Sequence, residues 1–99
     1  MNLAPGSRPI HGDTVDLGIG VHTVTITGPA STRSILIDGR GYAELVLPAL
    51  TPEHRTALEK TEHYAYELYR DGVLLYSSPE LTLRETRQSD DGLVITGAP

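Results

Sequence analysis

Four histidines, His11, His22, His54 and His63, are the side chains best suited to proton transfer or metal ligation, and two follow a glutamate, in Glu53-His54 and Glu62-His63. A two-histidine metal site on a helix needs its ligands at i and i+4, so that both imidazoles leave one face. Neither Glu-His pair has a second histidine at that spacing. The chain has no cysteine, which excludes thiolate ligands, a thiolate nucleophile and a disulfide framework. The histidines are therefore read as solvated or packed, and no metal or cofactor is expected.

Nucleophile and phosphate motifs fail for similar reasons. Gly28-Pro29-Ala30-Ser31 is not a Gly-x-Ser-x-Gly elbow, and strand-like runs flank it on both sides, where an elbow needs a strand and then a helix. Gly18-Ile19-Gly20 has no third glycine and no following helix, so it reads as a turn. Asp90-Asp91-Gly92 lacks the alternating oxygen ligands and terminal glutamate of a calcium loop. Among the carboxylates, Asp13, Asp16, Asp38, Glu44 and Glu67, an acid/base pair would have to converge in a cleft. Strand parity puts Glu44 and Glu67 on faces turned away from the core, so an acidic surface is expected and an enzyme is not.

Tyrosine supplies all the aromatic mass, five residues with no Trp and no Phe. Tyr64 and Tyr66 share a strand face with Leu68 and are assigned to the core. Tyr42, Tyr69 and Tyr76 are assigned to a partly exposed aromatic surface. Such a surface suits a protein interface, where Tyr is enriched, or a sugar ring. The interface is favoured because sugar platforms more usually include Trp. Leu93, Val94 and Ile95, a strand-like run near the C-terminus, join the three tyrosines as candidate interface residues.

The elements that must position these residues read as β. The 99 residues are 38% hydrophobic and 21% charged, one domain's worth of chain and neither disordered nor membrane-like in composition. No apolar run approaches the ~18 residues that span a bilayer. The first residues lack the basic and apolar regions of a signal peptide, so none is expected. A net charge of −5 argues against binding nucleic acid. Residues 21–27 alternate, with Val24 and Ile26 on one face and threonines on the other, the pattern of a half-buried strand. Residues 34–37 and 42–47 flank Asp38-Gly39-Arg40-Gly41 as a hairpin. Residues 62–70 and 73–76 flank Asp71-Gly72, a strong type I′ turn signal. Thr51-Pro52-Glu53 starts one short helix over 52–60, with Thr51 as cap and Pro52 at the first helical position. Residues 81–84 form a closing strand. These elements predict an all-β fold, an antiparallel immunoglobulin-like β-sandwich with one short helix. The domain reading is an extended N-terminal arm over 1–12, the sandwich over 13–87 and an extended C-terminal arm over 88–99. Both arms are expected to dock on neighbouring subunits.

The stretch from Gly12 to Arg84 resembles the N-terminal β-sandwich domain of baseplate upper proteins and related tail-fibre and head-decoration proteins of tailed bacteriophages. The resemblance is carried, in order, by Gly12-Asp13-Thr14, Thr27-Gly28, Gly41-Tyr42-Ala43-Glu44-Leu45-Val46-Leu47, Leu50-Thr51-Pro52-Glu53 with Ala57-Leu58, Tyr64-Ala65-Tyr66-Glu67-Leu68, Asp71-Gly72-Val73 and Leu81-Thr82-Leu83. It implies a small virion component, in the tail or baseplate, the connector or the capsid decoration, made in the bacterial host cytoplasm. Its implied partners are other virion proteins and further copies of itself, a trimer among the options, with no nucleic acid and no membrane. No large second domain follows, so assembly is expected and receptor binding is not. The family brings no catalytic residues. The alternative is a carbohydrate-binding or adhesin-type immunoglobulin-like module.

Overall fold

A computed structural model describes residues 8–99 of the chain. Among these are seven strands, β1 (Ile10–Ile19), β2 (His22–Ile37), β3 (Arg40–Leu47), β4 (His63–Arg70), β5 (Val73–Ser77), β6 (Leu81–Ser89) and β7 (Gly92–Ala98). A single helix, α1 (Pro52–Thr61), lies between β3 and β4. All strand pairs are antiparallel. The expected all-β class with one short helix is the class adopted.

The strands do not divide into two sheets. β1 pairs with β2 along one edge and with β4 along the other, so the order β1-β2-β3-β7-β6-β4 returns to β1, and β5 hangs on β4 outside the circuit. The immunoglobulin-like sandwich expectation therefore gives way to a closed six-stranded barrel, an arrangement that removes free strand edges. Two features allow closure. β1 is ten residues long, enough to pair on both sides. β2 is sixteen residues long and changes partner along its length, pairing β1 up to Thr32 and β3 from Ser31 onward. Gly28-Pro29, a loop by sequence, is a bulge within β2 where the register against β1 shifts opposite Asp13. Proline and glycine are tolerated inside a strand at such a bulge.

The thinnest seam is β4–β6. Only His63↔Thr82 and Tyr64↔Leu81 pair there, because β5 takes the same edge of β4 from Glu67 to Arg70. Helix α1 lies beside this opening. Thr51 caps it, its Oγ1 accepting from the His54 N–H at 3.2 Å, and Glu62 ends it in the left-handed region, donating its N–H to the Leu58 carbonyl at 3.0 Å. Leu58 is fully buried in the barrel core, and Arg55 Nη2 donates to Thr86 Oγ1 of β6 at 3.4 Å. The helix is too short to persist alone, so this docking holds it.

Inward residues of β4 alternate as the sequence predicts, with Tyr64, Tyr66 and Leu68 buried, and Leu45 and Leu47 of β3 are buried with them. Val15, Leu17 and Ile19 of β1 are buried too, so Gly18-Ile19, read as part of a turn, instead belong to a strand paired on both edges, and the turn starts at Gly20. Val24, Ile26 and Ala43 pack against them. Each large apolar side chain so buried contributes roughly 1.5–3 kcal/mol. The Asp71-Gly72 turn has φ of 52° and 77°, positive at both central residues as type I′ requires.

The arms are corrected. Residues 88–99 are not an extension: β6 runs on to Ser89, and β7 is inserted between β3 and β6 in the middle of the sheet. Its residues 93–97 are buried on both faces, so removing it would open the barrel. At the other end, residues 10–12 belong to β1. Arg8 and Pro9 precede it outside any strand, and residues 1–7 of the expected N-terminal arm lie outside the described residues.

Candidate functional site

The six candidate interface residues separate into three environments. Leu93, Val94 and Ile95 are 1%, 5% and 0% exposed, so they are core residues of β7 and offer no surface to a partner. That part of the interface reading is overturned. Leu93 and Ile95 point into the barrel core, and Val94, on the other face, lies between Val46 and Arg87 of the flanking strands.

Tyr69 stands alone on the outer face of β4. Its hydroxyl donates to Glu67 Oε1 at 3.0 Å, and this bond to a carboxylate, more than any burial, holds the phenol above its usual pKa. Nearby, Asp13 ties the β1–β2 bulge to the β4–β5 turn. Its Oδ2 accepts from the Asp71 N–H at 3.0 Å and its Oδ1 from Thr14 Oγ1 at 2.9 Å. The bond from Asp71 is the main cause that holds the Asp13 carboxyl below its usual pKa.

Tyr42 and Tyr76 are brought together. They face one groove of about 230 Å³, formed with Ser34, Pro79, Leu81 and Pro99. β3 supplies Tyr42, paired with Ile35 across the β2–β3 ribbon, and the Arg84 guanidinium of β6 lies 5.3 Å from its ring centre. β5 supplies Tyr76, whose ring sits 5.8 Å from Tyr66 at a 40° tilt. One face of each ring is thus already in contact. Glu44, beside this ribbon, pairs with Arg33 at 2.9 Å across the strands, an exposed ion pair of the modest kind.

Behind the groove, a pocket of about 10 Å³ is walled by Ile10, Thr32, Ser34, Ala43 and Tyr76. Thr32 is buried and shares a hydrogen bond with the Tyr66 hydroxyl, while its Oγ1 donates to the Glu44 carbonyl at 3.0 Å. Tyr64 stacks on Tyr66 with ring centres 6.4 Å apart. Burial is the main cause that pushes both phenols well above their usual pKa.

A wider cleft of about 390 Å³ opens over the β2 bulge, between His11, Pro29, Ser31, Val46 and Asp91. His11 and Asp91, both exposed, are at its rim. Among the described residues no group of three or more His, Cys, Asp or Glu side chains could hold a metal ion. No helix among the described residues is long and apolar enough to cross a membrane.

Sequence reasoning missed a set of exposed apolar side chains at hairpin ends. Val21, in the β1–β2 turn, is 96% exposed; Leu36, near the β2–β3 turn, 55%; and Val73 and Leu74, after the β4–β5 turn, 60% and 48%. The available signal was position: each lies within two or three residues of a tight turn, where a strand outruns the core. Compared with known proteins, the chain matches no family model, no curated protein and no solved structure.

Proposed function

We propose that this chain is a structural protein of a tailed-bacteriophage virion, a tail or baseplate, connector or capsid-decoration component that works through protein–protein contacts with other virion proteins and with further copies of itself. The observation that carries the reading is the placement of Val21, Leu36, Val73 and Leu74. A barrel with its core closed still presents large apolar side chains at three hairpin ends. Exposed apolar side chains at projecting hairpin ends suit contact with neighbours, which would take them out of water. The resemblance of residues 12–84 to a phage baseplate domain supplies the setting. The test is direct. Density-purified particles from a culture producing the phage, probed with an antibody to this chain, are expected to contain it in stoichiometric amount. Its absence from washed particles would overturn the reading.

A second reading, carbohydrate binding, draws on the Tyr42–Tyr76 groove. It has less support, because Arg84 covers one face of Tyr42 and Tyr66 contacts Tyr76. A glycan array with the purified chain separates the two, and retention on any defined glycan would favour this second reading.

A further inference from the structure

Four tight turns join neighbouring strands among the described residues, Gly20-Val21, Asp38-Gly39, Asp71-Gly72 and Asp90-Asp91. Three of them hold aspartate beside glycine or a second aspartate, residue types that turns favour. The fourth holds a valine. Gly20, with φ of 60°, supplies the positive angle of that turn, and Val21 is left 96% exposed. Neither the turn nor the barrel core uses its side chain.

Val21 and the Tyr42–Tyr76 groove lie at opposite ends of the strands. The Val21 turn joins the end of β1 to the start of β2. The groove takes Ser34 from the far end of β2, Tyr42 from the start of β3, and Tyr76 from β5, shortly after the β4–β5 turn. β4 runs antiparallel to β1, so that turn also sits where β1 begins. Leu36, Val73 and Leu74 therefore share the groove's end, and Val21 stands at the other.

The two ends also differ in charge. A Cβ on Gly20 would lie 3.5 Å from Thr61 Cγ2, so the Val21 turn abuts the C-terminus of α1. Glu59 and Glu62 are exposed there with Lys60, and the last helical carbonyls add partial negative charge. At the groove, the Arg84 guanidinium lies over Tyr42, and the exposed Arg40 precedes Tyr42 by two residues on β3. Glu80 and Glu85 are the carboxylates next to Leu81 and Arg84 in the chain. An exposed valine beside carboxylates at one end thus matches an aromatic groove edged by guanidinium groups at the other. The groove, about 230 Å³, has room for a valine side chain.

We propose that Val21 of one copy of this chain inserts into the Tyr42–Tyr76 groove of a second copy, with Glu59 and Glu62 of the first facing Arg40 and Arg84 of the second. The two surfaces differ, so the contact is head-to-tail. A dimer keeps one unused valine and one unused groove, and further copies add in a row or a ring. This deepens the assembly reading, on whose contacts between copies it rests.

Sedimentation velocity of the full chain over a concentration series tests the contact. The native chain is expected to form species beyond the dimer as concentration rises. Val21→Asp, at a turn position that suits aspartate, and Arg84→Glu, at an exposed site, should each weaken association by about tenfold or more, with thermal melting checking that both fold. Mixed in equal amounts, the two variants should form a dimer and nothing larger, because one competent valine and one competent groove remain between them. A native chain that stays monomeric at every concentration, or association that Val21→Asp leaves unchanged, would overturn the contact. Dimers that Leu36→Asp dissolves and Val21→Asp does not would place two groove ends together and overturn it as well. Detection in purified particles is a separate measurement, so a monomeric chain found there would overturn this contact and keep the virion reading.

Discussion

Tyr64 and Tyr66 sit on one buried face of β4, stacked and each 2% exposed, yet their hydroxyls differ. The Tyr66 hydroxyl shares a hydrogen bond with Thr32, whereas the buried Tyr64 hydroxyl has no protein partner among the described residues. A buried hydrogen bond is worth about 0.5–1.5 kcal/mol net, and an unsatisfied buried polar group costs about 1–3 kcal/mol. Tyr66→Phe is therefore expected to destabilise by about 1 kcal/mol. Tyr64→Phe removes the orphan at little loss of packing and is expected to be neutral or to stabilise by about 1 kcal/mol. The two variants should differ by about 2 kcal/mol, or roughly 8–16 °C in midpoint for a domain of this size. Urea melts of the three proteins, with equal slopes, measure the gap. Gly97 sharpens the test. A Cβ there would press on the Tyr64 hydroxyl and lie 2.9 Å from both Tyr64 Cζ and the Thr82 carbonyl. Gly97→Ala should destabilise the native chain and be partly relieved in the Tyr64→Phe background. If Tyr64→Phe is instead as damaging as Tyr66→Phe, and Gly97→Ala is no better tolerated beside it, the Tyr64 hydroxyl is bonded, to an ordered water, and the reasoning fails.

The same two phenols make an alkaline prediction. Their folded pKa values lie above the ordinary value of about 10, so their contribution to stability is intact below that pH and is lost as pH rises through the raised values; tyrosinate absorbance should show two phenols ionising only with loss of the circular-dichroism signal. Leu68→Ala, at a fully buried site, should cost about 2–5 kcal/mol, and Thr25→Ala, which removes an exposed bond to Asp16, less than about 1 kcal/mol; similar urea midpoints would invert the assigned faces. Gly72 has φ of 77° and open space around it, so Gly72→Val tests backbone strain alone and should cost about 1–2 kcal/mol by the same assay. Asp13 has a depressed carboxyl pKa, so its hold on the β4–β5 turn is present above pH 3.8 and is lost as pH falls through the lower folded value; the Asp71 amide proton shift should report that step, and Asp13→Asn should abolish it.

Local features were legible in the sequence where a single physical rule decided them. The Thr51-Pro52-Glu53 start predicted a helix over 52–60, and α1 spans Pro52–Thr61. The Asp71-Gly72 turn and the inward faces of Val24/Ile26 and Tyr64/Tyr66/Leu68 were readable because alternation reports which side chains are buried. Tyr42 and Tyr76 were identified as partly exposed aromatics, but not as neighbours. Their shared groove depends on β5 folding back over β4 and on the β2–β3 ribbon reaching the β5–β6 connection, and neither shows in the spacing of residues along one strand.

Two misreadings share one physical origin. Alternation reports a strand's faces but carries no information about which strands flank it. Leu93-Val94-Ile95 does not alternate in polarity, and an unbroken apolar run of that length is what a strand buried on both faces needs. Its closeness to the C-terminus suggested a free arm, but Val94 lies opposite Val46 and Arg87, and Ile95 opposite Leu45 and Thr86, in the middle of the sheet. Gly28-Pro29 looked like a loop because both residues interrupt ladders, yet an interruption that long strands need in order to bend is a bulge. β2 turns there and leaves β1 for β3. Once β2 bends and β7 is central, β1 has an edge left to pair with β4, and the sheet closes on itself. Closure in turn leaves the hairpin ends, with Val21, Leu36, Val73 and Leu74, as the parts of the chain that outrun the core. The side chains we propose as assembly contacts are thus left exposed by the same long-range pairing that alternation could not report.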